Sequence, residues 1–230
     1  NDKIISDYRS YEELTPKQVI AYSSQVGASK IAIMLGYEKL KNAYYNFGFG
    51  KPISINFPSS AFGLMNIKDK ISDKELASLG YGYGLTISPF QITSAYSVFA
   101  NKGIYKDFKI LKSDEVALNR VISEDSAKHT LEALKEVVHI GTGKNADING
   151  YTEGGKTGTV HKTSYGNGYA EDSYRASFVG IAPLSEKSLT IFVSIDEPGL
   201  NAYSGGMIAA PLFKKIADSS LNYLGYSEDE

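Results

Sequence analysis

The clearest chemical signal in the sequence is the run Gly-Lys-Thr-Gly-Thr at residues 155–159. Together with Gly150 it satisfies G-x-x-x-x-G-K-[ST], the pattern of phosphate-binding loops. A phosphate-binding loop needs a buried strand before the motif and a helix after it. Residues 142–149 are polar and interrupted by glycine, and residues 159–168 carry no helix signal. The flanking sequence therefore argues against a nucleotide site.

The same run also fits a β-strand, and Lys-Thr-Gly belongs with S-x-x-K and S-D-N to the motif set of penicillin-binding proteins and β-lactamases. A lysine charge and nearby hydroxyls, here Lys156, Thr157 and Thr159, can hold a substrate carboxylate. Gly158 would leave room for substrate along the strand, and a backbone N–H just beyond could stabilise an oxyanion. The alternative is a surface strand with an ordinary lysine.

A second polar group, Ser23-Ser24-Gln25, separates two helical patterns well before Lys156. In penicillin-binding proteins this place holds Ser-x-Asn, whose serine relays protons to and from the leaving group. The amide of that motif holds the substrate backbone. The alternative is an ordinary polar junction between helices, which is a common arrangement.

Further segments occur in the order typical of class B penicillin-binding proteins. They are Phe-Gly-Phe-Gly at 47–50, Gly-Tyr-Gly-Leu-Thr-Ile-Ser-Pro-Phe-Gln at 82–91, Ala-Asn-Lys-Gly at 100–103, Phe-Val-Gly-Ile-Ala-Pro at 178–183, Asp-Glu-Pro at 196–198, Tyr-Ser-Gly-Gly at 203–206 and Ala-Pro-Leu-Phe at 210–213. With the two motifs above they cover nearly the whole chain. The sequence therefore resembles class B penicillin-binding proteins, and most of all their cell-division (septal) branch. The elongation-specific branch is the nearest rival.

This resemblance implies a peptidoglycan D,D-transpeptidase that transfers an acyl group from D-Ala-D-Ala stem peptides and is inhibited by β-lactams. It implies a catalytic role for Ser23 and Lys156, and substrate binding by Gln25, Thr157, Gly158 and Thr159. It implies no cofactor. The expected partners are stem peptides, β-lactams and other division proteins. The expected location is the outer face of the cytoplasmic membrane, with the parent protein anchored by an N-terminal helix outside these residues.

The sequence departs from the family in two places. No serine is followed three positions later by lysine, so the Ser-x-x-Lys nucleophile is absent from residues 1–230. We expect these residues to be a transpeptidase domain truncated on its N-terminal side and inactive alone. We also expect the domain to be either unstable or compensated for the apolar surface that the truncation exposes. Gln25 replaces the family's Asn, and its side chain is one methylene longer. The same amide can donate and accept, but its reach differs.

Two other functions stay open at this point. One is a β-lactamase or β-lactam sensor of the same fold, although no sequence feature indicates a dedicated deacylating water. The other is a degenerate, non-catalytic domain that binds peptidoglycan or division proteins. An intact Ser-x-x-Lys upstream would favour the enzyme.

The composition excludes several other classes. The net charge is -2 and the sequence pI near 6.0, so no basic excess indicates nucleic-acid binding. Cysteine is absent and the three histidines form no close pair, which argues against disulfides and metal sites. No apolar stretch is long enough to span a bilayer.

The elements that must position these residues follow from periodicity and punctuation. Thr15-Pro16-Lys17-Gln18 and Ser88-Pro89-Phe90-Gln91 have the form of capping boxes with proline at the first helical position. Helices are predicted over 15–23, 28–35, 37–47, 88–101, 123–139 and 207–224. Strands are predicted over 154–161, 175–183 and 188–195, with an irregular segment at 51–80 and a hairpin loop at 163–173. Helices followed by an antiparallel sheet and a final helix predict an α+β fold.

Two apolar faces are also predicted. In the second helix, Ile31, Met34 and Leu35 share one face. In the last helix the expected inward stripe is Ile208, Leu212, Ile216 and Leu221.

Overall fold

The structure is a computed structural model that describes residues 4–53, 63–65, 68–112, 117–163, 169–185, 187–199 and 201–229. It divides into two compact units, Asn1–His129 and Thr130–Glu230, which are described here one at a time. Helices and antiparallel strands make up the two units, and the predicted α+β class is confirmed. Within the described residues, no helix combines the length and the apolar character needed to cross a membrane.

The first unit is mainly helical. Its helices are α1 (Pro16–Ala21), α2 (Gln25–Leu35), α3 (Tyr37–Asn46), α4 (Asp73–Gly80) and α5 (Pro89–Ala100). Two short strands follow, β1 (Ile104–Lys106) and β2 (Leu118–Arg120), which pair antiparallel. Helix α6 (Glu124–His139) then begins, and the boundary between the units falls within it.

Side-chain caps explain where these helices begin. Thr15 and Ser88 each accept from the third helical N–H in a capping box, which confirms both sequence predictions. Ser72 and Glu75 form a third box that starts α4 inside the segment predicted to be irregular. The prediction of irregular structure was therefore wrong for α4. The helix is short and begins with polar residues, so it has little apolar periodicity in the sequence. Residues 54–62 and 66–67 of the same segment lie outside the described residues.

The apolar face of α2 is exposed. Ile31, Met34 and Leu35 share this face as predicted, and their exposed fractions are 46%, 86% and 39%. The buried side of α2 carries small residues instead, including Ala32. A Cβ at Gly80 would lie 2.5 Å from the Cβ of Ala32, so α4 crosses α2 at close range. The tight crossing therefore selects the small-residue face for burial.

The second unit is built around a three-stranded antiparallel sheet in the order β3 (Gly154–Thr163), β4 (Tyr169–Ala182) and β5 (Leu189–Asp196). A 3-10 turn (Lys144–Ala146) precedes the sheet, and a π-helical turn (Gly205–Ala209) leads into α7 (Ala210–Leu224). The prediction of a loop over 163–173 was wrong for 169–173, where β4 has already begun. Residues 164–168 lie outside the described residues.

The core of this unit lies between the sheet and α7. Phe178 of β4 and Phe213 of α7 are fully buried, with ring centroids 4.9 Å apart. A Cβ at Gly180 would lie 2.5 Å from the Phe213 ring, so the helix sits close to the strand. Burial of large apolar side chains against each other is the main stabilising contribution here.

The predicted inward stripe of α7 was partly wrong. Leu221 is buried, whereas Leu212 and Ile216 are 39% and 40% exposed and Ile208 is half-buried. The buried residues are Ala210, Phe213, Ala217 and Leu221. Apolar residues occupy two adjacent rows of this helix, so periodicity alone cannot choose between them. The close contact of Phe213 with β4 decides which row faces the sheet.

Candidate active site

Four predicted site residues lie together on β3. Lys156, Thr157, Gly158 and Thr159 pair in register with Val179, Phe178, Ser177 and Ala176 of β4. Because β3 continues to Thr163, a strand and not a helix follows the lysine. A phosphate-binding loop requires a helix at that point, so the nucleotide interpretation is excluded.

Lys156 has an unusual environment for a lysine. Its Nζ donates to the Thr157 carbonyl oxygen at 3.1 Å and lies 3.4 Å from the Thr157 hydroxyl. Burial lowers the pKa of Lys156 to about 8, since removal from water disfavours the charged form. At neutral pH the side chain is still mostly protonated, but it loses its charge more readily than an exposed lysine.

The two threonines of the motif are held by different contacts. The Thr157 hydroxyl lies 2.7 Å from the hydroxyl of Thr142, which follows α6. The Thr159 hydroxyl accepts from the Gly205 N–H at 3.0 Å. Alternate residues of a strand point to the same face, so both hydroxyls lie on one side of β3. Each is oriented by a residue distant in sequence.

Backbone approaches around Gly205 leave no space for a side chain. A Cβ at Gly205 would overlap the Ser177 carbonyl oxygen and come within 2.6 Å of the Gly158 carbonyl oxygen. A Cβ at Gly206 would overlap the Thr142 carbonyl oxygen, and the Gly206 carbonyl accepts from Asn145 Nδ2 at 2.8 Å. The start of the π-helical turn is therefore locked against β3.

Gly158 lies close to a serine side chain of the neighbouring strand. A Cβ at this position would lie 2.5 Å from the Ser177 hydroxyl oxygen on the neighbouring strand. Room for a ligand along the strand, as the sequence suggests, stays a prediction.

An aromatic stack lies farther along the same strand. The ring centroids of His161 and Tyr174 are 4.2 Å apart, and those of Tyr174 and Tyr203 are 4.4 Å apart with an interplanar angle of 27°. Tyr203 is 43% exposed and lies two residues before Gly205. The stack therefore borders the Thr159–Gly205 contact with partly exposed aromatic surface.

The other two predicted site residues lie in the first unit: Ser23 lies between α1 and α2, and Gln25 is the first residue of α2. With Ser24 they form the Ser23–Gln25 turn. Both are exposed, whereas Ser24 between them is buried. Ser24 is the N-cap of α2, and its hydroxyl accepts from the Gly27 N–H at 2.9 Å. Ser23 has a φ of 57°, a left-handed conformation that is uncommon outside glycine. The turn thus displays its first and third side chains and buries the second.

Comparison with known proteins identifies the family. Residues 1–218 match the family profile described as the penicillin binding protein transpeptidase domain. The chain belongs to this family. The resemblance inferred from the motifs is therefore confirmed, and the transpeptidase domain can be compared with its relatives.

Three relatives illustrate the match. Peptidoglycan D,D-transpeptidase FtsI of Buchnera aphidicola is 35% identical over 214 residues, 92% of this chain and 38% of the relative. The apo transpeptidase domain of penicillin-binding protein 3 from Burkholderia pseudomallei superposes with a TM-score of 0.90 at 34% identity, covering 97% of this chain and 69% of that one. Penicillin-binding protein 3 from Mycobacterium tuberculosis, complexed with aztreonam, gives 0.86 at 27% identity, with 97% and 55% covered. The chain spans about two fifths of the length of the curated relatives it matches.

Sequence reasoning missed three residues of the transpeptidase strand region: Thr142, Asn145 and Gly205. Thr142 contacts a threonine 15 residues away, and Gly205 contacts one 46 residues away. The available signals were Gly141-Thr142-Gly143 and Gly205-Gly206, because paired glycines often mark close backbone approach. Neither pattern indicates which residue of β3 is contacted.

Proposed function

We propose that the protein containing this domain is a peptidoglycan D,D-transpeptidase of septal cell-wall synthesis. It takes D-Ala-D-Ala stem peptides as acyl donors and is acylated by β-lactams. The observation that carries the proposal is the β3 group, in which a partly buried lysine lies beside two oriented hydroxyls. Membership of the family and the likeness to a structure complexed with aztreonam support it.

Binding of the donor's terminal carboxylate is the proposed role of β3. Lys156 supplies positive charge, and Thr157 and Thr159 supply hydroxyl donors. Charge-assisted hydrogen bonds of this kind are stronger than neutral ones. The Thr157 and Thr142 hydroxyls are hydrogen-bonded, and when Thr142 donates, the Thr157 proton is available to a ligand. The Thr159 hydroxyl accepts from the Gly205 N–H, which leaves its own proton available to a ligand. A backbone N–H near the end of the motif stabilises the oxyanion.

In the first half of the reaction a serine hydroxyl attacks the carbonyl carbon of the penultimate D-Ala. Its proton passes to a neighbouring lysine base, and a tetrahedral oxyanion forms. The peptide C–N bond then breaks. Ser23 relays a proton to the departing amine of the terminal D-Ala, while Gln25 orients the donor backbone.

In the second half an amine of a neighbouring stem peptide attacks the ester. The amine loses a proton, the ester C–O bond breaks, and the serine oxygen regains a proton. The product is a new amide cross-link. A β-lactam enters the first half in the same way, except that its amine remains tethered to the acyl group.

We propose that the nucleophilic serine and its lysine partner come from a part of the protein outside these 230 residues. No serine within them has a lysine three positions later. The catalytic domain works outside the cytoplasmic membrane, where peptidoglycan lies.

Labelling of the full-length protein with penicillin tests the enzyme proposal. Intact mass and peptide mapping should show a single penicilloyl adduct on a serine that precedes Asn1 in the full-length sequence. An established penicillin-binding protein labelled in parallel is the positive control. No adduct would overturn the proposal in favour of a non-catalytic domain. Rapid loss of the adduct with hydrolysis of penicillin would indicate a β-lactamase.

The septal assignment needs a separate measurement. Depletion of the protein should give filamentous cells in which septa fail to close, and a fluorescent fusion should concentrate at the division site. Uniform localisation with loss of rod shape would assign the protein to elongation instead.

A further inference from the structure

A carboxylate near the beginning of the chain bridges two residues of the Ser23–Gln25 turn. Asp7 Oδ2 accepts from the Ser24 hydroxyl at 2.6 Å, and Asp7 Oδ1 accepts from the Val26 N–H at 3.1 Å. Asp7 lies 17 residues before Ser24 in sequence. The carboxylate thus supports the turn from outside and contacts the residue on each side of Gln25.

The Ser24 hydroxyl links this carboxylate to α2. It donates to Asp7 and accepts from the Gly27 N–H at 2.9 Å. Asp7 and Ser24 together therefore satisfy two of the first N–H groups of the helix, those of Val26 and Gly27, which have no partner inside the helix. Ser24 is 3% exposed, so loss of its acceptor would leave a buried hydroxyl unsatisfied.

Two other contacts hold the same turn. The Tyr11 and Tyr22 rings stack with centroids 5.4 Å apart and an interplanar angle of 5°. A Cβ at Gly27 would lie 2.6 Å from a Val19 methyl, so α2 packs closely on α1. The segment that carries Asp7 and Tyr11 therefore contacts the turn at two separate places.

Ser23 is the residue that most needs such support. Its φ of 57° is a conformation that costs a non-glycine residue about 1–2 kcal/mol, and it persists only where neighbours impose it. Two supports fix the backbone around Ser23: the Ser24 N–H donates to the Val19 carbonyl at 3.0 Å, which closes the end of α1, and the Ser24 side chain is held by Asp7. Release of the carboxylate leaves the backbone bond but removes the anchor of the Ser24 cap, which would shift the Ser23 hydroxyl.

We infer that Asp7 is a positioning residue for the proton relay by Ser23. It acts through Ser24 and Val26 and does not touch substrate. The inference rests on the proposed transpeptidase function.

Asp7→Asn in the full-length protein tests this inference. An amide oxygen can replace only one of the two carboxylate acceptors. We expect the acylation rate constant with penicillin to fall about tenfold, within the range known for misplaced catalytic groups. Asp7→Glu should recover part of the rate, because it restores both acceptors on a longer arm. Tyr8→Ala is the matched control, since Tyr8 is an exposed neighbour in the same segment, and its rate should equal that of the wild type.

The same substitution in the Ser23→Ala variant distinguishes a positioning role of Asp7 from general destabilisation of the domain. If Asp7 acts through Ser23, Asp7→Asn should have less than about a twofold effect when Ser23 is already alanine. A fold-loss of the same size in both backgrounds would mean that Asp7 only stabilises the domain, and the inference would be overturned. All rates are compared well below each variant's unfolding temperature.

The remaining outcomes are also decisive. Acylation of Asp7→Asn at the wild-type rate would overturn the inference and leave the transpeptidase proposal standing. Failure of the wild-type protein to be acylated would overturn the transpeptidase proposal, and the role of Asp7 with it. The wild-type assay is run first, so the two failures are told apart.

Discussion

The Ser23–Gln25 turn and the β3 strand position their side chains by different means. The turn depends on one buried hydroxyl, one carboxylate and a strained residue. The strand is paired with β4 along nearly its whole length, and its hydroxyls are oriented by Thr142 and Gly205. A turn held by a few hydrogen bonds can be altered by a single polar substitution. The position of a strand that is hydrogen-bonded to its neighbour along its length changes only if the backbone is displaced. Its binding properties change if a charged side chain is removed.

The difference also concerns exposure. Ser23 and Gln25 are exposed, whereas Lys156 and Thr157 are partly buried. Regions with few buried contacts open at a lower free energy than strands within a sheet. We therefore expect variants on β3 to change binding and charge, and variants of the turn to change geometry.

Lys156→Ala should have the largest effect. Loss of the only lysine of the motif removes the charge that we propose binds the donor carboxylate. We expect the acylation rate with penicillin to fall about a hundredfold to a thousandfold, measured by stopped-flow labelling of the full-length protein. Stability should not fall, because a buried charge is removed. Lys214→Ala, on the exposed side of α7, is the control. A rate close to that of the control would remove β3 from the carboxylate site.

Gly205→Ala tests how rigidly the strand region is held. The added methyl would overlap the Ser177 carbonyl and push Gly205 away from Thr159. We expect the free energy of unfolding to fall by about 1–3 kcal/mol in urea denaturation. A Cβ at Gly199 would meet nothing within 4 Å, so Gly199→Ala should change stability by less than about 0.5 kcal/mol. Equal effects at both positions would contradict the locked contact.

The pH dependence of acylation should report the charge of Lys156. The pKa of Lys156 is lowered to about 8, against an ordinary value of 10.5. Lys156 is therefore charged below about pH 8, and the acylation rate should fall up to about tenfold per pH unit above it. Stability should move oppositely and rise between pH 8 and 10.5, where only the unfolded chain still binds the proton. Lys156→Arg should remove both effects, since arginine keeps its charge. A flat profile to pH 10 would contradict the lowered pKa.

Gln25→Asn should have the smallest effect and tests the turn alone. The shorter amide has one fewer rotatable bond to order on substrate binding, worth about 0.5–1 kcal/mol. We expect acylation to become about twofold to fivefold faster, with no change in unfolding temperature. An unaltered rate would mean that the additional methylene is harmless. A slower rate would mean that the turn has adapted to glutamine.

The sequence predicted local features well because their causes are local. Ser88 and Gln91 cap α5 as expected, since a capping box needs only four residues. The further role of Gln91 was not predictable: its buried amide also bonds to the Gly48 and Lys51 carbonyls and the Gly63 N–H. These partners are 28 to 43 residues away, and no local pattern indicates them.

In the candidate site, too, local features were predictable and contacts between distant residues were not. The placement of Lys156 and its neighbours on one strand was predicted from residue type and order, and they lie on β3. Asp7 was not found, because a single aspartate in a polar segment has no distinctive spacing. The row of α7 that faces the sheet was also missed, since two rows are apolar and only the fit of Phe213 to β4 selects one. Contacts between residues that are distant in sequence could not be predicted from the sequence pattern.

The crowded backbone around Gly205 has a consequence for which substitutions the domain can tolerate. Any side chain at Gly205 would strike backbone atoms of Ser177 and Gly158, so few single-codon changes there are compatible with folding. The exposed positions of the α1–α2 turn carry no such restriction at Gln25. Substitutions should therefore be tolerated more readily at Gln25 than at Gly205.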